Sequence, residues 1–307
     1  MQQQFLSQNS PKALEGNSVS LSSDGNTLSV GARSYNGVGA VFIYVRQNGT
    51  WSTIPQTTLL GSSNSNLGIS NAISYDGNTL VAGANTYNSN EGAAYVYQKT
   101  GSTWSNGVLL QGDISQPSVS QGFSVSISGD GLTIASCSSS YNNNDGALFI
   151  FKYNGTNWNL FQTMVGPTGS GASFGISSYF SSDGSVLIVG GSNYNSSTGA
   201  AWLYSNNGSA YVQQKFWQGT PGSSFGISVR ISGDGSVAVI GDITYNTNGA
   251  VFVYDGPFWN TLQILQGTTQ GSSDKQGGGC SISENGKTIA FVGSGANNAY
   301  GGIWIFG

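Results

Sequence analysis

Five Tyr-Asn pairs are the residues of this sequence whose types and spacing suggest binding chemistry. They recur about every 50 residues, which indicates a structural repeat. The pairs are Tyr35-Asn36, Tyr87-Asn88, Tyr141-Asn142, Tyr194-Asn195 and Tyr245-Asn246. An aromatic ring can stack on a sugar ring, and asparagine both donates and accepts hydrogen bonds with hydroxyl groups. These ten residues are therefore a candidate multivalent ligand-binding ring. The alternative is structural, with each tyrosine packing its loop against the next repeat and each asparagine shaping a turn.

Groups able to perform catalysis are scarce. The chain has no histidine, which removes the commonest general base and metal ligand. Of the 13 acidic residues, five are aspartates in a recurring turn. Glu91, Asp145 and Asp242 lie near the Tyr-Asn pairs, but in three different repeats. The sequence therefore predicts that the protein is not an enzyme.

The repeat is clearest between Phe225 and Gly267, where four short apolar runs are separated by turn signals. FGISVRIS alternates apolar and polar residues, as in a strand, and Asp234-Gly235 then favours a hairpin. SVAVIG and GAVFVY are continuously apolar, whereas WNTLQILQ is more polar. These runs are named strands A to D. Two central strands that are apolar on both faces are typical of a blade packed between other blades, as in a β-propeller.

Six copies of this unit span the sequence. The glycine of the A–B hairpin recurs as Gly25, Gly77, Gly131, Gly184, Gly235 and Gly286. We predict an all-β fold, a six-bladed β-propeller of four-stranded antiparallel blades, as a single domain over residues 1–307. The blades cover approximately residues 16–61, 67–112, 122–166, 174–219, 225–267 and 277–307. The last copy stops after strand C, so we expect residues 2–7 to supply its outer strand and close the ring.

Composition limits the classes of partner. Only 7% of the residues are charged, the net charge is −4 and no basic run occurs, so a nucleic-acid partner is not expected. No apolar run approaches the roughly 20 residues of a membrane span. The N-terminus shows no signal peptide, and the neutral polar surface is typical of exposed, extracellular settings. Cys137 and Cys280 fall in blades on opposite sides of the ring, so buried free thiols are expected.

Several short motifs resemble a known family. Phe174-Gly175, Phe225-Gly226 and the variant Leu67-Gly68 open strand A, Val30-Gly31-Ala32 closes strand B, and GAVFVY fills strand C. The pattern resembles the FG-GAP repeats of integrin α-subunit-like propellers over essentially the whole chain. The resemblance implies an extracellular or surface-exposed, non-enzymatic scaffold for adhesion or ligand recognition. The family often has seven blades, whereas six copies are present here.

Some repeats of that family bind Ca²⁺ through a loop with alternating carboxylates. The corresponding turns here each contain one aspartate: Asp24, Asp76, Asp130, Asp183 and Asp234. Ca²⁺ needs six to eight oxygen ligands, usually with several carboxylates. We therefore interpret these aspartates as hairpin formers and predict neither metal sites nor cofactors.

A glycosidase is the enzyme class to compare. The Ser-x-Asp-Gly turns are similar to the Asp-box hairpins of six-bladed sialidases. Such enzymes need clustered arginines and a tyrosine nucleophile, whereas this chain has only Arg33, Arg46 and Arg230. The tryptophan that closes an Asp box is also absent, so a sialidase-like glycosidase is a remote alternative.

Two functional hypotheses remain. One is a surface-exposed binding or adhesion scaffold that recognises a glycan or protein partner through the face formed by the B–C loops. The other is a structural component of an assembled particle or coat, such as a virion or cell-surface protein. Both predict an extracellular, cell-surface or virion-surface location.

Overall fold

The protein is all-β and forms a six-bladed β-propeller, which confirms the predicted fold class. A computed structural model describes residues 6–7, 13–112, 119–268, 273–296 and 301–307. Within these ranges the strands of each antiparallel sheet lie side by side in chain order, with strand A at one edge. Short helical turns connect strands B and C in five blades.

The first three blades contain strands β1 to β14. The first consists of β1 Glu15–Leu21, β2 Thr27–Ala32, β3 Ala40–Gln47, β4 Thr50–Trp51 and β5 Thr57–Leu60. The second consists of β6 Asn71–Ile73, β7 Thr79–Ala84, β8 Ala93–Thr100, β9 Thr103–Trp104 and β10 Val108–Leu110. The third consists of β11 Ser124–Ile127, β12 Thr133–Ser138, β13 Ala147–Tyr153 and β14 Trp158–Val165. Strand D is therefore divided into two pieces in the first two blades.

The remaining blades contain strands β15 to β25. The fourth consists of β15 Ser177–Phe180, β16 Val186–Gly191, β17 Ala200–Asn206 and β18 Tyr211–Gln218. The fifth consists of β19 Ser228–Ile231, β20 Val237–Asp242, β21 Ala250–Asp255 and β22 Asn260–Leu265. The sixth consists, in the described residues, of β23 Gln276–Ile282, β24 Ile289–Gly293 and β25 Gly302–Phe306.

The predicted closing strand, residues 2–7, lies mostly outside the described residues. Only Leu6 and Ser7 are described, and they are not in a strand. Leu6 packs against the cluster of the first blade that includes Phe42 and Tyr44. Closure of the ring by this segment stays a prediction.

Contacts divide the chain into two compact units. One comprises Met1–Ser138 with Phe149–Thr163, and the other Ser139–Leu148 with Met164–Gly307. The third blade thus contributes its strands A and B to the first unit and its B–C loop to the second. The single domain over residues 1–307 stays a prediction.

Most of the described core lies in the seams between blades. Ile188, Leu203 and Trp217 of the fourth blade pack against a cluster from the fifth blade that includes Phe225 and Ile240. The seam between the first two blades is built in the same way, and it buries Trp104 to 7% exposure. Both faces of the central strands are therefore covered, as the continuous apolar runs predicted. Cys137 and Cys280 are buried free thiols, which confirms that prediction.

Main-chain contacts also join consecutive blades, and glycine makes them possible. A Cβ on Gly190 of strand B would lie 2.0 Å from the carbonyl oxygen of Gly226, just before strand A of the next blade. It would also lie 2.6 Å from Ser177 Oγ. Gly31, Gly83 and Gly241 meet the next blade equally closely. The glycines of the Phe-Gly and Gly-Ala motifs therefore mark places where two main chains touch.

A serine hydroxyl completes each of these contacts. Ser177 Oγ donates a hydrogen bond to the Gly226 carbonyl at 3.2 Å, and Ser228 Oγ donates to the Gly277 carbonyl at 2.8 Å. Ser18 and Ser70 make the same bond in the first unit. We call the strand B glycine, this serine and the carbonyl that they contact the seam contact. It fixes the distance between the two blades in these four pairs, whereas Cys137 occupies the equivalent strand B position in the third blade.

The A–B turns are linked as well. In the first unit Ser23 N–H donates to the Tyr75 carbonyl, and Tyr75 N–H donates to the Gly129 carbonyl, both at 3.0 Å. In the second unit Ser182 N–H donates to the Gly233 carbonyl, and Gly233 N–H donates to the Glu284 carbonyl, both at 2.9 Å. The strand ends that carry the A–B turns are therefore tied from blade to blade, whereas the B–C loops lie at the opposite ends.

Substituting a seam glycine should destabilise the propeller. Gly190→Ala places a methyl group against main chain that cannot move alone, so we expect a loss of about 3 kcal/mol in the free energy of unfolding. Gly278→Ala is the control, because a Cβ there would have its nearest neighbours at 3.6 Å. Chemical denaturation followed by tryptophan fluorescence measures both variants. Equal midpoints for Gly190→Ala and the wild type would contradict the role given to the seam contact.

Candidate functional site

The tyrosines of the Tyr-Asn pairs open the B–C turns, and four of them pack on strand C of their own blades. The Tyr194 and Trp202 rings are 5.6 Å apart at 90°, and Tyr194 also contacts Phe216 at 5.5 Å. Tyr35, Tyr87 and Tyr245 meet the corresponding aromatic residue of strand C with ring centroids 5.1 to 6.0 Å apart. Tyr141 opens the equivalent turn Tyr141–Asn144. All five side chains are half-buried. For Tyr35, Tyr87, Tyr194 and Tyr245 the structure shows packing within the blade, on an aromatic partner there, in place of the expected packing against the next blade.

The asparagines of the pairs all adopt the left-handed conformation. Their φ angles lie between 47° and 49°, at Asn36, Asn88, Asn142, Asn195 and Asn246. Asparagine tolerates this conformation better than most residues, because its short side chain bonds locally. Asn142 is half-buried and the other four side chains are exposed. Each pair therefore consists of an anchored ring followed by an amide, and each lies in the loop of its own blade.

In three blades the left-handed stretch is three residues long. Asn88–Asn90, Asn142–Asn144 and Asn195–Ser197 have φ angles from 48° to 71°. A non-glycine residue in this region costs of order 1–3 kcal/mol, and such strain is concentrated at functional sites in proteins. These turns consequently direct several polar side chains outward from a short stretch of backbone.

A buried carboxylate fixes the loop of the third blade to the connection that follows strand D. Asp145 is 2% exposed and accepts hydrogen bonds from the main-chain N–H groups of Gly169 at 2.9 Å and Gly171 at 3.0 Å. It also accepts one from Asn142 Nδ2 at 2.9 Å. Asp145 therefore has a structural role, holding two loops together across 24 to 26 positions of sequence.

These two loops form one side of a cleft whose other side is the B–C loop of the fourth blade. The cleft has a volume of about 550 Å³. It is lined by amide, hydroxyl and main-chain groups: Asn142, Asn143, Asp145, Thr168, Gly169, Ser170, Gly171, Asn193, Ser196 and Ser197. We call it the Asn143 cleft. Its volume is within the range of roughly 300–1,000 Å³ that small-molecule sites occupy.

A related cleft lies one blade further along. It has a volume of about 350 Å³ and is lined by Thr220, Pro221, Gly222, Ser223, Thr244, Tyr245 and Asn246. Asp242, which is 2% exposed, anchors it by accepting hydrogen bonds from Ser224 N and Thr244 N, both at 3.1 Å. We call it the Tyr245 cleft. One arrangement of loops thus occurs twice in the second unit.

Sequence reasoning identified Asn142, Tyr245 and Asn246 but missed the rest of both clefts. The run Asn142-Asn143-Asn144 was the available signal, because consecutive asparagines favour a left-handed turn. The connection through Thr168 and Gly171 gave no comparable signal. Its position depends on the hydrogen bonds to Asp145, which only the fold reveals.

The aspartates of the A–B turns are engaged within their own turns. Ser22 Oγ donates to Asp24 Oδ1 at 2.6 Å, and Asn26 N–H donates to the same oxygen at 2.9 Å. In the last copy Asn285 Oδ1 accepts the same two bonds, from Ser283 Oγ at 2.8 Å and Lys287 N–H at 3.1 Å. These contacts are those of hairpin-forming residues. No group of three or more histidine, cysteine, aspartate or glutamate side chains suited to a metal occurs among the described residues.

The three arginines lie on different elements. Arg33 follows β2, Arg46 lies near the end of β3 and Arg230 is in β19. The Arg230 guanidinium stacks on the Tyr179 ring, 4.8 Å from its centroid. Each arginine thus belongs to a different local environment.

Comparison of the chain with models of known protein families and with curated protein sequences gives no match. Among the helices in the described ranges, none has the length and apolar character of a membrane span.

Hydrogen bonding lowers the pKa of four turn aspartates. For Asp24 and Asp234 the largest cause is the hydrogen bond from the serine two positions earlier. For Asp76 and Asp183 burial is the largest effect and raises the pKa, but hydrogen bonds together outweigh it. A carboxylate with a lowered pKa stabilises the fold above its unfolded pKa, about 3.9. That contribution is lost as the pH falls through the folded pKa.

We therefore expect the melting temperature to fall below about pH 4. Replacing the four aspartates together by asparagine, which occupies this turn at Asn285, should lower the melting temperature at pH 7, because the contribution of the charged carboxylates is lost, and should reduce the further fall in acid. Calorimetry between pH 2 and pH 7 measures both proteins. If the melting temperature of the variant fell in acid as much as that of the wild type, other carboxyl groups would be responsible for the fall.

Proposed function

We propose that the protein is a non-enzymatic, surface-exposed binding module that recognises a glycan through its B–C loop face. The observation that carries this proposal is the pair of concave clefts lined by amides and hydroxyls. Such groups both donate and accept hydrogen bonds, which suits a ligand rich in hydroxyl groups. A polar cleft with this lining fits a saccharide better than the apolar anchor side chains of a protein partner.

In this proposal the tyrosine and the asparagine of each pair have different roles. The tyrosine rings shape and support the loops, since their faces and edges contact strand C. The exposed asparagines of the B–C loops present the amides that meet the ligand. Repetition of the pair from blade to blade would then supply avidity for a multivalent surface.

A specific observation favours the second candidate, a structural component of a particle or coat. Ile303 and Ile305 of β25 are each 71% exposed, and Val292 of the neighbouring β24 is 42% exposed. These residues share one face of the last sheet, because Val292 pairs with Ile303 and the strand alternates. Exposed apolar strands of this kind are association surfaces.

A glycan-array experiment tests the first proposal. The variant Asn36→Gly/Asn195→Gly/Asn246→Gly deletes three exposed amides and retains left-handed backbones, which glycine adopts freely. We expect its binding to weaken by about tenfold or more, because each lost hydrogen bond contributes about 1 kcal/mol. Asn48→Gly is the matched control, since Asn48 has a φ of 50° in a C–D turn. Failure of the wild type to bind any glycan, together with self-association in sedimentation velocity, would favour the coat protein instead.

A further inference from the structure

Building on the proposed function, we propose that the Asn143 cleft is a subsite for a neutral saccharide residue, bound through hydrogen bonds without aromatic stacking. A neutral ligand class excludes the acidic sugars, such as sialic acids, that many surfaces display.

The floor of the cleft is open main chain. A Cβ built on Gly169 or on Gly171 would meet nothing within 4 Å, so both residues face free space. Their φ angles are 72° and 58°. Glycine at such a position lets a ligand approach the backbone closely. Because Asp145 holds both N–H groups, the cleft exists before a ligand arrives.

Hydrogen-bonding groups of both kinds surround this floor. Asn143 and Asn193 supply amides, and Ser170, Ser196 and Ser197 supply hydroxyls. Asn143, Asn193, Ser196 and Ser197 are exposed side chains. An amide has two donors and one acceptor, and a hydroxyl both donates and accepts. The lining therefore complements the adjacent hydroxyls of a sugar ring, whose oxygens also act in both ways.

The charge of the lining selects a neutral ligand. No lysine or arginine lines the Asn143 cleft, and its one ionisable residue is Asp145. A carboxylate or sulfate on the ligand would lose its hydration without gaining a counter-charge, and it would be repelled by Asp145. Recognition of acidic groups in proteins usually relies on arginine, which this cleft lacks.

Aromatic stacking does not contribute here. The neighbouring Tyr194 ring is held between Trp202 and Phe216 and does not line the cleft. A site that relies on hydrogen bonds alone binds weakly, because each hydrogen bond between protein and ligand replaces hydrogen bonds that the two groups made with water. The Tyr245 cleft in the same unit provides a second point of attachment. We therefore expect binding to glycans displayed at high density, with weak binding of free monosaccharides.

The test variant removes ligand-facing atoms and keeps the loops. Asn143→Gly/Ser196→Gly deletes one side chain from each wall of the cleft, at residues with φ angles of 57° and 58°. Glycine adopts these angles without strain, so the melting temperature should not decrease. The matched control is Ser89→Gly, because Ser89 has a φ of 58° in the second-blade loop outside the cleft.

Wild type, variant and control are applied to an array on which each neutral oligosaccharide is printed beside its sialylated counterpart. We expect the wild type and Ser89→Gly to bind a neutral glycan at least about tenfold more tightly than its sialylated form. The cleft variant should lose about tenfold or more of that binding. A competing free monosaccharide should displace the protein only at millimolar concentration.

The outcomes separate this inference from the function on which it rests. Neutral glycan binding that survives in the cleft variant overturns the subsite and leaves glycan recognition intact. Binding confined to sialylated glycans overturns the choice of a neutral ligand. If the wild type binds nothing on the array, both the subsite and glycan recognition are overturned.

Discussion

Close contact between the main chains of consecutive blades is the constraint on which this structure depends. A strand B glycine and a strand A serine meet one carbonyl of the next blade, as Gly190 and Ser177 do at Gly226. A larger residue at Gly190 would separate the two sheets, because its Cβ would lie 2.0 Å from the Gly226 carbonyl oxygen, and the apolar seam around Phe225 could not close. The Phe-Gly and Gly-Ala motifs are therefore explained by packing, whatever the protein binds.

Because the seam contact does not involve the B–C loops, the sequence of these loops can vary without changing the packing of the blades. The tyrosine at the start of the loop is held by packing, as Tyr194 is by Trp202 and Phe216. Hydrogen bonds hold other loop positions, such as the one from Ser173 N–H to the Asn144 carbonyl at 2.7 Å. Beyond the tyrosine the chain adopts a left-handed turn that no seam contact requires. Such strained polar turns fit the general observation that functional sites retain local strain while the rest of the fold supplies stability.

The sequence predicted the blades well because their signals are local. Hairpin glycines and continuous apolar runs lie within a few residues of the strands that they define, and the apolar run GAVFVY matches β21 Ala250–Asp255 to within one residue at each end. The clefts were not predictable in this way, because Asp145 meets Gly169 and Gly171 only after the blades have formed. The packing of the tyrosines was easier to predict from the sequence, since Tyr35 and Phe42 are close in sequence and the same pairing recurs in other blades.

Amide hydrogen exchange of the free protein tests most directly whether the seam contact holds consecutive blades together while the left-handed B–C turns stay open to solvent. The account predicts that the amides of Gly175 and Gly226, which donate to the Gly190 and Gly241 carbonyls at 2.9 Å, exchange only through global unfolding. Amides of the left-handed turns at Asn143 and Ser196 should exchange orders of magnitude faster. Exchange at Gly175 and Gly226 as fast as in those turns would contradict the account, because the seam contact would then not hold consecutive blades together.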